Sequence, residues 1–374
     1  INRIIKIISC VTSPESNDKS LLFFLKYDNS LYVNNISHFP LICKSTLNLG
    51  GIYCMMYHGI EVCNNKERFS IMNKIFYEAL VKVLDEDQIK LEEPMKNHVT
   101  FRVGGPADFF VTPKNYEELS WVLKCCAKYE MPCYIMGNGS NLLVSDQGYR
   151  GVVIQLFRQL NDIQCEGNVI RAQAGALLSA VANRALEEKL TGFEFAAGIP
   201  GTLGGACVMN AGAYGGEMKD VLKSVTVLTR EGERITLQKN ELELGYRTSI
   251  IAKKNYIVLE AEIELEAGDA EEIKAVMDDL KERRTTKQPL EYPSAGSTFK
   301  RPEGYFAGKL IQESGLQGFQ VGGAQVSEKH CGFVINKDQA TAADIAELIR
   351  QVQDRVEEKF GVRLETEVKR LGEF

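Results

Sequence analysis

The stretch GIPGTLGGACVMNAGAYGG, residues 198–216, places seven glycines in nineteen positions. Glycine loses more conformational freedom on folding than any other residue, so such density marks positive φ angles or a bulky group pressed against bare main chain. Turns alone do not call for Gly-x-x-Gly-x-x-Gly-Gly beside a run that reads as helix. A second glycine loop, GNGSNLL, occupies 137–143. Between them the loops offer unobstructed backbone N–H groups at Gly137, Gly139, Gly198, Gly201, Gly204 and Gly205, with the Ser140 hydroxyl and the Asn138 and Asn141 amides beside them. Such concave main-chain nests bind phosphate oxygens. Neither a strand followed by G-x-G-x-x-G nor a G-x-x-x-x-G-K-[ST] is present. Two remote loops suit a dinucleotide whose pyrophosphate lies between two small subdomains better than a nucleoside triphosphate.

A chain of 374 residues, 44% hydrophobic and 25% charged, can bury the cores of two or three domains. The formal charge is −6 and basic residues are interleaved with acidic ones, which argues against nucleic acid as a partner. Ten cysteines occur without a C-x-x-C pair or zinc-type spacing, so they read as reduced cysteines and no metal site is expected. No apolar run reaches membrane-spanning length, and INRIIKIISC lacks a cleavage pattern. A cytoplasmic protein that does not engage membranes is expected.

Residues 1–71 differ from the rest. They are rich in Asn, Ile, Tyr and Cys, with no sustained helical or strand period. The codons for Lys66, Glu67 and Arg68 can spell AAGGAGAGG, a bacterial ribosome-binding sequence, ahead of Met72. The expectation is that Met72 is the true start and that 1–71 is a translated leader or disordered extension.

From Met72 the pattern becomes regular. ADFFVTP reads as a strand, and Asn115 with Glu118 forms a capping box for a helix with Leu119, Val122, Leu123 and Cys126 on one face. Strands PCYIMG and GVVIQL follow, giving a β-α-β-β order over 72–156. In 157–268 come VIRAQAG, a helix through Leu177–Leu186, a hairpin of VTVLTR and ERITL around Arg230-Glu231-Gly232, and the strand YIVLEAEIEL. A boundary is expected near Gly268. In 269–374 a helix starts at Asp269 with an apolar face of Ile273, Val276, Met277 and Leu280. A second helix carries Ile345, Leu348, Ile349, Val352 and Val356 and stops at Gly361, and VRLETEVKRLG ends the chain as a strand. The class is α+β, without the alternating β-α series of a Rossmann domain.

The segments NHVTFRVGGPADFFV, GNGSNLLVSD, FAAGIPGTLGGACVMNAGAYGGEM, YRTSI, RRTTKQP, AGSTFKRP and GKLIQESGLQGFQVGGAQVSEKHCGFVIN occur in this order. They resemble the UDP-N-acetylenolpyruvoylglucosamine reductase family, flavoproteins of peptidoglycan precursor synthesis, from about Met72 to Phe374. The resemblance implies an α+β, two-subdomain FAD-binding fold of the vanillyl-alcohol oxidase and p-cresol methylhydroxylase type, followed by a C-terminal α+β substrate-binding domain. It implies FAD against Gly137, Asn138, Gly139, Ser140 and Asn141 and against Gly198, Ile199, Pro200, Gly201, Gly204 and Gly205. It implies NADPH as reductant and UDP-N-acetylglucosamine enolpyruvate as substrate. Arg247 would bind the enolpyruvyl carboxylate, Ser297 would protonate C2, and Glu367, chosen over Glu365 because the motif places its acid before Val, would orient that carboxylate or share the proton. Arg284 and Lys287 would contact the UDP-sugar, although cations ending a helix also complement its dipole. His330 reads as structural. The strand before Asp269 runs straight into the helix without an inserted tyrosine-bearing loop, which resembles the shorter subclass.

Two other readings stay open at this stage. One is a non-covalent FAD oxidase or dehydrogenase of a sugar or hydroxy acid; relatives of that kind often attach flavin to a histidine beside the first glycine loop, and here His98 is far upstream. The other is a flavin-binding protein without turnover, which would be expected to lack the arginine, serine or acid.

Overall fold

A computed structural model describes the backbone of residues 6–11, 21–27, 30–36, 65–229 and 232–374, with side chains from 72 onward. The chain divides into two units, Ile1–Phe69 and Ser70–Phe374. The first holds an antiparallel sheet of Lys6–Val11, Leu21–Tyr27 and Ser30–Ile36, in which Tyr27 pairs with Ser30 and Leu21 with Ile36. These strands lie within the segment that the sequence reading expects to be a translated leader or disordered extension. Runs such as LLFFLKY and SLYVNNI are rich in aromatic and branched residues that suit a pleated sheet even where polar and apolar positions do not alternate.

The second unit begins within helix α1 (Asn65–Leu80). Its first sheet has the order Ile89–Pro94, Pro106–Val111, Tyr149–Gln155, Cys133–Met136, with the first pair antiparallel and the other two parallel. Helix α2 (Tyr116–Lys128) covers it. The Asn115 side chain accepts from the Glu118 N–H and caps the helix, but the expected capping box is incomplete: the Glu118 carboxylate accepts from the Asn115 side-chain amide and from the Lys114 N–H instead of the Asn115 N–H. Leu119, Val122 and Cys126 are buried.

The second sheet, of five antiparallel strands, has the order Arg234–Gln238, Leu222–Leu228, Ile257–Glu264, Val169–Gln173, Ile163–Glu166. The expected hairpin pairs Leu228 with Arg234; Arg230 and Glu231 at its tip lie outside the described residues. Helix α3 (Leu178–Glu187) and the short helices α4 (Leu203–Met209) and α5 (Ile250–Lys254) accompany this sheet. One apolar core joins the two sheets, from Phe76 and Phe109 to Val225 and Ile263.

Helix α6 (Ala270–Lys287) starts at Asp269, whose carboxylate accepts from the N–H groups of Glu271 and Glu272. Its apolar face is narrower than the sequence suggests. Ile273 is buried, but Val276 is 47% exposed. The cause is its neighbour: α6 lies on α3, on the Glu194–Ala196 turn and on Leu190–Thr191, all elements before the boundary expected at Gly268.

The remainder packs around an antiparallel sheet of Ser294–Ser297, Phe333–Asn336, Ala324–Val326 and Gln320–Val321, in a second core that also takes in Phe101, Val103 and Leu143. Helix α7 (Ala307–Glu313) precedes the short strands. Helix α8 (Ala342–Phe360) buries Ile345, Leu348, Ile349, Val352 and Val356, worth about 1.5–3 kcal/mol each relative to exposure, and ends where Gly361 turns left-handed at φ 66°. The terminal strand is shorter than VRLETEVKRLG: Lys369–Leu371 pairs, in parallel, with Leu142–Val144, and Thr366 forms an isolated antiparallel bridge to Phe299. The C-terminal domain is thus laced back to the first glycine loop. Among the described residues no helix is long and apolar enough to cross a membrane.

Candidate active site

The two glycine loops meet. A methyl group on Gly137 would lie 2.1 Å from Thr202 Oγ1, and one on Gly139, at φ 65°, would lie 2.2 Å from the His98 carbonyl. His98 is therefore next to this loop despite its distance in sequence. Its ring is turned away, stacked on Phe110 at 3.9 Å, with Nε2 2.7 Å from Glu93. The Asn141 amide donates to the Glu367 carbonyl at 3.2 Å, which fastens the loop to the C-terminal segment.

The glycines of 198–205 are bare for different reasons. Gly204 donates its N–H to the Ala174 carbonyl, and a methyl there would sit 2.9 Å from Ala174 Cβ, so this glycine lets α4 approach the second sheet. Gly198 is covered by the Arg284 side chain, 3.2 Å from the position of an added methyl. Gly201 and Gly205 are uncrowded: a methyl added there would meet only Ser140 Oγ at 3.5 Å and Thr202 Oγ1 at 3.8 Å, ordinary contact distances. An uncrowded stretch of main chain edged by two hydroxyls has the donor set and clearance that a flavin dinucleotide's pyrophosphate needs, and these residues fit it.

A cavity of about 440 Å³ lies among the motifs of the chain's second half. Arg247, Ser297 and Glu367 all line it, with Tyr246, Arg301, Phe306, Lys309, Lys329 and His330 among their neighbours. Ser297 ends the strand Ser294–Ser297. Its register against Phe333–Asn336 slips between Ser294 and Ser297, and Gly296 adopts φ 73°, a bulge that leaves the Ser297 side chain exposed. The Ser297 hydroxyl has no hydrogen-bond partner within the described chain. Buried Thr298 fixes the next position. Its hydroxyl accepts from Val334 N–H, its N–H donates to Gly332, and its carbonyl accepts from Glu367 N–H. One residue thereby ties together the serine, the Gly332 loop and the acid.

Arg247 sits in a tight turn closed by reciprocal bonds between Gly245 and Thr248, at φ 54°, a left-handed conformation uncommon for a residue with a side chain. Its Nε donates to Glu367 Oε1 at 2.8 Å. Glu367 is 12% exposed, and burial raises its pKa above the ordinary carboxylate value, against the lowering influence of Arg247. Glu365 points elsewhere and pairs with Lys300 at 2.9 Å.

Neither Arg284 nor Lys287 lines this cavity. Lys287 is exposed at the end of α6. Arg284 is half-buried over Gly198, has no acidic partner among the described residues, and burial lowers its pKa. His330, read from sequence as structural, does line the cavity. Its Nδ1 accepts from Gly332 N–H at 3.1 Å, which leaves Nε2 to carry the proton of a neutral ring, and burial lowers its pKa. Tyr246, Arg301 and Phe306 also escaped the sequence reading; the Arg301 guanidinium stacks over Phe306 at 3.9 Å. The adjacency of Tyr246 to Arg247 was the available signal for the first of them.

The folded unit and its open glycine loops define a flavin-binding oxidoreductase. An FAD-binding domain model matches residues 107–238, and a UDP-N-acetylenolpyruvoylglucosamine reductase C-terminal domain model matches 288–371. The chain is 58% identical over 297 residues to the UDP-N-acetylenolpyruvoylglucosamine reductase of Clostridium perfringens strain SM101, covering 79% of this chain and 97% of that relative. It is 55% identical over 301 residues to that of Clostridioides difficile strain 630, covering 80% and 99%. The crystal structure of the Thermus caldophilus reductase is 37% identical and superposes with a TM-score of 0.66, covering 76% of this chain and all of that one. The chain belongs to the UDP-N-acetylenolpyruvoylglucosamine reductase family.

Proposed function

We infer that the protein reduces UDP-N-acetylglucosamine enolpyruvate to UDP-N-acetylmuramate with NADPH and FAD, a step of peptidoglycan precursor synthesis. The observation that carries this reading is the convergence of Arg247, Ser297 and Glu367, from three separate parts of the sequence, on one cavity. Family membership supplies the chemistry that such a constellation serves.

Gly201, Gly205, Ser140 and Thr202 would hold the FAD pyrophosphate. When bound and reduced by NADPH, FAD supplies a hydride to the terminal carbon of the enolpyruvyl ether. The planar Arg247 guanidinium binds the substrate carboxylate and stabilises the negative charge that spreads from C2 onto it. Ser297, whose hydroxyl is uncommitted within the chain, donates a proton to C2; a serine is a weak acid, so the acceptor must be as basic as an enolate carbon. Glu367 holds Arg247 in place. Arg284 would face the cofactor side through Gly198, and Lys287 would meet the nucleotide-sugar beyond the cavity. Residues 72–156 and 157–268 form the two halves around FAD and 269–374 the substrate domain, with α6 resting on the second half. The chain passes from Ile257–Glu264 through Glu266–Ala267 directly into α6, which supports the shorter subclass.

The test is a pair of half-reactions on the purified full chain. A flavin spectrum should bleach with NADPH under anaerobic conditions and recover on adding UDP-N-acetylglucosamine enolpyruvate. A protein that stays colourless and takes up no FAD overturns the reading, and recovery with oxygen alone makes it an oxidase.

A further inference from the structure

The turn that carries Arg247 hangs from the end of helix α4, the helix that begins within the second glycine loop. Asn210 terminates α4 in the left-handed conformation, φ 45°, which asparagine tolerates better than most residues. It is fully buried, and every polar group of its side chain is used. Nδ2 donates to Glu217 Oε2 at 2.6 Å and to the Gly245 carbonyl at 3.1 Å, while Oδ1 accepts from Lys219 N–H at 2.9 Å. Gly245 is the first residue of the Arg247 turn. On the far side of the turn, Ser249 is also fully buried; its hydroxyl donates to the Val208 carbonyl at 2.6 Å and accepts from Ala252 N–H to cap α5. Two positions at one helix end, Val208 and Asn210, therefore grip both shoulders of the segment Tyr246-Arg247-Thr248. A buried amide that is satisfied on all sides is expensive to rearrange, so this bracket is stiff.

We propose that Asn210 and Ser249 are positioning residues for Arg247: they fix the catalytic arginine to the helix that leaves the flavin loop, so that the distance between flavin and substrate carboxylate is set by one rigid element. Glu367 restrains only the side chain, whereas this bracket places the backbone. The inference rests on the proposed reductase activity. It concerns substrate alignment, not flavin binding, because neither side chain is among the groups edging the uncrowded main chain at Gly201 and Gly205.

The test compares the full-length parent with Asn210→Asp and Ser249→Ala. The first keeps the acceptor for Lys219 and tolerates the left-handed backbone, but presents a carboxylate to Glu217 and to the Gly245 carbonyl. The second removes the Val208 bond. Three quantities are read for each: FAD content, the rate of flavin reduction by NADPH, and the rate of reoxidation by UDP-N-acetylglucosamine enolpyruvate with its substrate dissociation constant. The expected result is near-parent FAD content and flavin reduction within about twofold. Reoxidation should be slower by about 10- to 100-fold, as for a misplacement of an aligning group by up to 1 Å. Either variant that folds and holds FAD yet is reoxidised at the parent rate overturns the proposal. So does an equal fall in both half-reactions, which marks a merely structural role. Should Asn210→Asp fail to fold, Ser249→Ala decides alone. A parent enzyme that substrate cannot reoxidise refutes the reductase reading itself.

Discussion

Substituting two adjacent glycines separates packing from ligand binding in the 198–205 loop. In Gly204→Ala the new methyl meets Ala174 Cβ at 2.9 Å and the Ala174 carbonyl at 3.1 Å, both fixed in the main-chain seam where Leu203 and Gly204 bond to Ala176 and Ala174. Overpacking of this kind costs about 1–3 kcal/mol, of which the better helix propensity of alanine returns about 0.5–1 kcal/mol. A net loss of about 1–2 kcal/mol should lower the melting temperature of the flavin-free protein by roughly 2–6 °C. In Gly205→Ala the nearest atom is 3.8 Å away, so no such penalty arises. The helix gain remains, and the flavin-free protein should melt unchanged or up to about 3 °C higher. The methyl projects into the space assigned to FAD, so titration of the stripped protein, followed by flavin fluorescence, should show affinity reduced by about tenfold or more, the effect of one sterically displaced contact group. If Gly205→Ala binds FAD as the parent does, the exposed face of α4 is not against the cofactor.

Three further outcomes follow from the cavity. Ser297→Ala should leave flavin reduction by NADPH intact and slow reoxidation by substrate by about 10²–10⁴-fold, the usual worth of a positioned acid; an equal loss in both half-reactions assigns the proton elsewhere. Arg247→Lys keeps the charge but not the fork, so stopped-flow reoxidation should fall by at least about tenfold with FAD content unchanged. Glu367→Gln tests the raised pKa. Between the unfolded value near 4.5 and its higher folded value, the native protein binds more proton than the unfolded chain, so stability conferred at low pH is lost as pH rises through that window. The glutamine variant lacks this slope. Its melting temperature relative to the parent should rise across the window and stay level or higher at pH 7, while turnover falls; a variant that is less stable at pH 7 than at pH 4, relative to the parent, contradicts the sign.

What the sequence revealed was local. Asn115 with Glu118, Asp269, and Gly361 mark helix ends because a cap depends on residues a few positions apart, and the buried stripe of α8 follows from the helical repeat alone. Val276 misled because periodicity shows that a face is apolar, not what lies opposite, and α6 meets α3, Leu190–Thr191 and Glu194–Ala196 with only part of that face. His98 and Gly139 touch although forty-odd positions of chain separate them, and Lys369–Leu371 crosses back to Leu142–Val144; neither approach leaves a local trace. Within the site, Arg247, Ser297 and Glu367 were reached through motifs, since no spacing rule links a turn, a bulged strand and an irregular C-terminal segment.

The manner of their meeting explains why the acid is buried at all. Glu367 reaches the cavity because Thr298 accepts its N–H and Asn141 donates to its carbonyl, so its backbone is bound to the serine's strand on one side and to the first glycine loop on the other. Its carboxylate then meets an arginine whose turn is held by α4, the helix of the second glycine loop. Both glycine loops are therefore mechanically tied to the Arg247–Glu367 pair, one through each partner. Burial opposes the ionised form of Glu367, and a fold selected for stability alone would leave this acid in water or replace it with an apolar residue. Its place at the junction of both loops is understandable if charge and position are needed together, as the proposed hydride transfer to a carboxylate-bearing substrate would require.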